Sequence, residues 1–139
     1  MEAFMTAPPI GREGYIRHMG RVFQAFAGQS DHYDRKLEEE TAAMAYDRSF
    51  YPMGFVRQLA AIMVSGSRRR TLRTVGVPAL VIHGADDALV PLAHGQDTAA
   101  AIPDAKLIVV EGLGHGLSYP TLWDQIVEAI TNHTKQVSA

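Results

Sequence analysis

Two short apolar runs constrain this chain more than anything else in it. Val77-Pro78-Ala79-Leu80-Val81-Ile82-His83 is rich in branched residues and runs into Gly84, and Lys106 to Glu111 (KLIVVE) runs into Gly112. Runs of this length, apolar without alternation, suit strands buried on both faces. Residues 92–102 (LAHGQDTAAAI) lie between them and predict a short Ala-rich helix. Gly95 weakens that helix by roughly 1 kcal/mol relative to Ala. Strand, helix and strand in this order make a parallel crossover unit. Two such strands cannot form their own sheet, because a two-stranded sheet is marginal and strands buried on both faces need neighbours. The pattern predicts the end of a larger α/β protein.

The rest of the chain reads as helix. Residues 1–12, with Pro8, Pro9 and Gly11, form an extended lead-in. From Arg12 to Ala27 the apolar positions Tyr15, Ile16, Met19, Val22, Phe23 and Phe26 make a helical stripe that Gly28 ends. Ser30 or Asp31 caps a second helix with Leu37, Thr41, Met44 and Ala45 on one face, and Lys36 to Glu40 is its solvated face. A third helix starts near Pro52 and carries Phe55, Val56, Leu59, Ile62 and Met63. Ser65 to Arg70 reads as a linker. A last helix from about Pro120 to His133 presents Leu122, Trp123, Ile126, Val127 and Ile130, with Trp123 as a packing residue.

Composition narrows the function. The 139 residues allow one small domain, and 47% hydrophobic against 20% charged is ordinary for a globular protein. Thirteen Lys and Arg against fifteen Asp and Glu, a net charge of −2, argue against nucleic acid as a partner. Arg68, Arg69, Arg70 and Arg73 therefore read as a solvated linker. No apolar run reaches the ~18–20 residues of a membrane span. The N-terminus lacks a basic stretch leading into an apolar one, which favours a cytoplasmic location. Zero cysteines exclude disulfides, thiolate metal sites and a Cys nucleophile. His18, His32, His94 and His133 show no ligand spacing with one another, so a metal site is not expected.

Two loops carry the chemistry. Gly84-Ala85-Asp86-Asp87-Ala88-Leu89-Val90-Pro91 follows the first strand, and Gly112-Leu113-Gly114-His115-Gly116 follows the second. Both lie at the carboxyl ends of parallel strands, where open α/β sheets place their ligands. There an acid and a histidine can meet. A carboxylate that accepts the Nδ1 hydrogen of an imidazole fixes its tautomer and stabilises the cation formed when Nε2 takes a proton. Taken alone, His115 would be a histidine in a Gly-rich turn, Asp87 a turn residue or helix cap before Pro91, and Asp86 a rival to it. Two ionised carboxylates so close repel if both are buried, so one is expected to face His115 and the other water. His83 reads as structural or pocket-lining. Met5, Met19, Met44, Met53 and Met63 with Phe23, Phe26, Phe50 and Phe55 read mostly as helical core, although they could line an acyl pocket.

At these residues the chain resembles the C-terminal half of an α/β-hydrolase-fold enzyme. Pro78-Ala79-Leu80-Val81-Ile82-His83-Gly84-x-x-Asp87-x-x-Val90-Pro91 is similar to that family's acid loop, and Gly112-x-Gly114-His115 to its histidine loop. The family order of nucleophile, acid and histidine is respected. The resemblance covers nearly the whole chain and is best to small esterases, lipases and aclacinomycin methylesterase-like enzymes. Ala45-Tyr46-Asp47-Arg48-Ser49-Phe50 and Pro120-x-Leu122-Trp123 are also similar to that branch. It implies an incomplete α/β-hydrolase fold: a helical cap segment over residues 1–65, then a core segment over 66–139 with the last two parallel strands and their helices.

The implied activity is carboxylic-ester hydrolysis without cofactor or metal, with Asp87 and His115 as catalytic acid and base acting on a small-molecule ester. The sequence departs from the family in having no Gly-x-Ser-x-Gly; Gly28-Gln29-Ser30-Asp31 and Ser65-Gly66-Ser67 do not fit it. The serine and the oxyanion donors are therefore expected upstream of Met1. Alternatives are a non-catalytic module that pairs with a partner chain or self-associates through the free edge of the strand at 79–83. Haloalkane dehalogenase, epoxide hydrolase or cofactor-free peroxidase chemistry on the same fold is a further one.

Overall fold

A computed structural model describes residues 8–28 and 30–137. The expectations for residues 1–7, Met5 among them, and for Gln29 lie outside the described residues. The chain divides into two compact units. One is helical and takes the chain up to Ala25 together with Asp34–Ser67; the other takes Phe26–Tyr33 and the chain from Arg68 on.

The helical unit holds α1 (Arg12–Phe26, up to Ala25), α2 (Arg35–Arg48) and α3 (Met53–Ser65). The α1 stripe faces inward as its spacing dictates: Val22 is buried and Tyr15, Ile16, Met19 and Phe23 are half-buried, whereas Arg12, Glu13, Arg17 and Arg21 are exposed. α2 departs from expectation twice. Its N-cap is Asp34, whose side chain accepts the Leu37 N–H at 3.0 Å, and not Ser30 or Asp31. Its inward face is turned by one position, so that Glu38 and Ala42 are buried while Thr41 and Met44 are exposed. Tyr15, Tyr46 and Phe50 explain that turn. Their rings meet with centroids 4.5–5.5 Å apart and draw α2 round towards Tyr46. Arg12 grips Asp47 through two hydrogen bonds of 2.7 Å at the surface. α3 buries none of its residues among the described part of the chain, and Val56, Ile62, Met63 and Val64 are exposed.

The second unit is built on β1 (Leu80–Gly84) and β2 (Lys106–Val110), which pair in parallel with Leu80 opposite Lys106 and Gly84 opposite Val110. The connection is α5 (Leu92–Ala101), and α6 (Trp123–Val137) closes the chain after a single 3₁₀ turn at Pro120–Leu122. The expected linker is partly helical: α4 (Arg69–Leu72) forms within the arginine run, and Arg69 reaches Asp97 of α5 at 2.9 Å. Ala27, Val110, Leu113, Tyr119 and Leu122 form the core, with Tyr33, Ile82, Ile108 and Ile126 packed on it. The strands are less covered than their composition suits. Only Gly84 and Val110 are buried, at the ends nearest the loops. Trp123 is 43% exposed and donates its indole N–H to the Leu117 carbonyl, so it holds a loop and is not a core residue.

Candidate active site

The backbone brings the two loops together before any side chain acts. Ala85 N–H donates to Val110 O and Asp86 N–H to Leu113 O, both at 3.0 Å. Gly84 makes this approach sterically feasible: a Cβ there would lie 2.1 Å from the Leu113 carbonyl oxygen. The carbonyl of Phe26 accepts from both loops, from Ala88 N–H at 3.4 Å and His115 N–H at 3.3 Å. Ser30 adds a further tie by donating its hydroxyl to the Gly112 carbonyl.

Within this frame Asp87 and His115 meet. The Asp87 carboxylate is 7% exposed. Its Oδ1 accepts the N–H groups of Leu89 and Val90 at 2.9 and 2.7 Å, a turn in which a side chain orders the backbone that follows it. Its Oδ2 lies 2.9 Å from His115 Nδ1. A carboxylate can only accept, so the Nδ1 hydrogen lies between them and Nε2 is the nitrogen left to move a proton. His115 is 38% exposed, and its ring stands edge-on to the Phe26 ring with centroids 5.9 Å apart.

Asp86 behaves differently from a carboxylate that merely faces water. It is exposed, yet Oδ2 accepts the Gly112 N–H at 2.9 Å and so fastens the acid loop to the histidine loop. His83 closes β1 with its side chain 12% exposed and its Nε2 2.8 Å from the Val90 carbonyl. Sequence reasoning missed Phe26 because it acts here through its carbonyl, which every residue carries. A helix end followed by Gly28 is the nearest signal to it.

Comparison with known proteins agrees with this architecture. A family model of α/β-hydrolase type, described as TAP-like protein, matches residues 57–130, just over half of the chain. The chain belongs to this α/β-hydrolase family. A 2-hydroxymuconate semialdehyde hydrolase of Pseudomonas putida is 31% identical over 82% of this chain and 40% of its own length. A non-heme haloperoxidase of Rhodococcus erythropolis is 45% identical over 33% of this chain and 17% of its own. Among solved structures, an esterase from a Rhodococcus species superposes with a TM-score of 0.60 at 26% identity, covering 93% of this chain and 46% of that one. A meta-cleavage product hydrolase from Pseudomonas fluorescens gives 0.55 at 25% identity, covering 97% and 46%. This α/β-hydrolase chain thus spans less than half the length of each of these relatives. Among the described residues, no helix is long and apolar enough to cross a membrane.

Proposed function

We propose that the chain supplies the acid and base of a carboxylic-ester hydrolase whose serine and oxyanion donors lie upstream of these 139 residues. The observation that carries the reading is the 2.9 Å contact of His115 Nδ1 with an Asp87 carboxylate already oriented by two backbone N–H groups. The serine hydroxyl attacks the ester carbonyl as His115 Nε2 takes its proton, and Asp87 stabilises the imidazolium. Collapse of the tetrahedral intermediate returns that proton to the leaving alcohol. Water, deprotonated by His115, then attacks the acyl-serine, and the acid leaves as His115 returns the proton to the serine oxygen. The step needs no metal or cofactor. In this reading residues 1–65 belong to a cap over the acyl site and 66–139 to the catalytic core. The esterase and the semialdehyde hydrolase among the relatives favour hydrolysis over the haloperoxidase alternative.

The reading frame upstream of Met1 tests this. A Gly-x-Ser-x-Gly within about a hundred residues is expected, as the family order requires. An aspartate in the serine's place would replace ester hydrolysis by dehalogenase or epoxide hydrolase chemistry. The 139-residue chain alone is expected to show no saturable turnover of a p-nitrophenyl ester. Turnover abolished by His115→Ala would put the nucleophile inside this chain and reject the reading.

A second reading rests on the sheet. Among the described residues β1 has a single strand neighbour, and Val127 and Ile130 of α6 are 60% and 46% exposed. An open strand edge templates pairing with another chain. The isolated chain is therefore expected to associate through the strand at 79–83, and light scattering should find dimers or larger species. A cooperatively melting monomer would exclude this.

A further inference from the structure

We infer that His83 is a positioning residue for the Asp87–His115 pair, acting through the carbonyl of Val90; the inference rests on the acid–base reading of that pair. Strand geometry sends the His83 side chain out of the sheet one residue before Gly84, and α5 packs over it. Its Nε2 lies 2.8 Å from Val90 O. A carbonyl only accepts, so Nε2 carries the hydrogen and donates it, and the neutral ring leaves Nδ1 bare. That bare nitrogen faces Gly95, where a Cβ would come within 2.6 Å of Nδ1 and 2.7 Å of Cγ. Gly95 weakens α5 as a helix but leaves room for the ring, which gives this residue a packing reason that its sequence context did not reveal.

The consequence falls on Asp87. The Val90 residue is held at both ends: its N–H by Asp87 Oδ1 at 2.7 Å and its carbonyl by His83. The residue whose N–H orients the carboxylate is therefore also held one peptide further on, where His83 fixes its carbonyl. His83 Nε2 also stands 3.9 Å from Asp87 Oδ2, the oxygen that His115 occupies at 2.9 Å. Two imidazoles thus flank one carboxylate oxygen. Because Val90 O takes the His83 hydrogen, Oδ2 is left to His115 and the pair forms with one partner rather than two. A buried histidine with a merely structural role would hold the loop without influencing which ring nitrogen of His115 bears its hydrogen.

Histidine tautomers in the ¹⁵N-labelled 139-residue chain test this, read from two-bond proton–nitrogen correlations at a pH where the rings are neutral. The wild-type chain is expected to show His83 as the Nε2–H tautomer and His115 as the Nδ1–H tautomer. Asp87→Asn should shift His115 to Nε2–H. His83→Phe should reduce the Nδ1–H fraction of His115 by at least half, and His83→Gln, whose amide can still donate to Val90 O, should restore it. Gly95→Ala, which leaves every site residue in place but crowds the His83 ring, should give a loss like that of His83→Phe and serves where His83→Phe fails to fold. An Nδ1–H tautomer for His83 in the wild type, or an unaltered His115 in folded His83→Phe or Gly95→Ala, overturns the role of His83 alone. An unaltered His115 in Asp87→Asn removes the pair itself, and the inference falls with it.

Discussion

The α3 helix and the acid loop have opposite fates. α3 carries Phe55, Val56, Leu59, Ile62 and Met63 at helical spacing and buries none of them. The acid loop has no periodicity, yet it is held by directional bonds to distant residues. Five of its backbone or side-chain groups are tied to residues far away in sequence, at Phe26, Val110, Gly112, Leu113 and His115. An apolar face is non-directional, and its energy is realised only when something covers it. A hydrogen-bonded loop is directional and carries its partners' addresses in its geometry. The comparison teaches that a chain spanning less than half of its relatives' length can hold two loops in register while leaving most of a strongly patterned helix exposed.

The largest effect expected from breaking this comparison is kinetic. On the proposed reading, Asp87→Asn in the full-length protein should lower turnover by about 10⁴-fold, because it would leave His115 in the wrong tautomer. Asp86→Asn should stay within about tenfold, because an amide oxygen can still accept the Gly112 N–H and the carboxylate's own charge is exposed. Steady-state rates of the two variants decide between them, and a crippled Asp86→Asn would move the acid by one residue.

Next comes a purely steric test of the tied loops. Gly84→Ala places a methyl 2.1 Å from Leu113 O and 2.9 Å from Gly114 O, both backbone atoms of the histidine loop. Denaturant unfolding should show a loss of about 1–3 kcal/mol, as overpacking does. Unchanged stability would mean that the two loops are not held at this distance in solution.

A smaller effect lies in the helical unit. Burial holds the His18 imidazole below its ordinary value of 6.5, with the Arg21 charge acting in the same direction. As pH falls through 6.5 the unfolded chain takes up this proton first, so stability is full above that pH and declines below it, until the folded state is protonated too. Melting temperatures followed across that window should show a decline that His18→Leu removes. A decline that persists in the variant assigns it to another group.

The smallest effect is expected where the apolar face is uncovered. Ile62→Ser and Val64→Lys, at sites 59% and 86% exposed, should change stability by no more than about 0.5 kcal/mol, since neither leaves a cavity or an unpaired buried group. A larger loss in the isolated chain would show that α3 is covered in solution, and would sharpen the comparison by naming the face that associates.

Much of the fold was legible because burial and periodicity are local signals. The α1 stripe, the two strands to within a residue or two and the crossover helix all follow from residue spacing. The α2 face was misread because the contest lay between a charged run and three aromatic rings. Tyr15, Tyr46 and Phe50 settled it in favour of burying Glu38 and Ala42. The short helix in the arginine run was missed because its support, the ion pair with Asp97, is remote in sequence. In the site, Asp87 and His115 were legible as residue types in family-like motifs at the ends of parallel strands.

By itself the sequence determined the two strands and the longer helices, their order, and which carboxylate and imidazole have motif spacing, because those depend on neighbours within a few residues. Tertiary structure alone decided that Asp86 binds Gly112, that Phe26 lends its carbonyl to both loops, and that His83 spends its hydrogen on Val90. Each of these is a directional bond to a backbone group that every residue carries, and only the distances of the folded chain select which of them form.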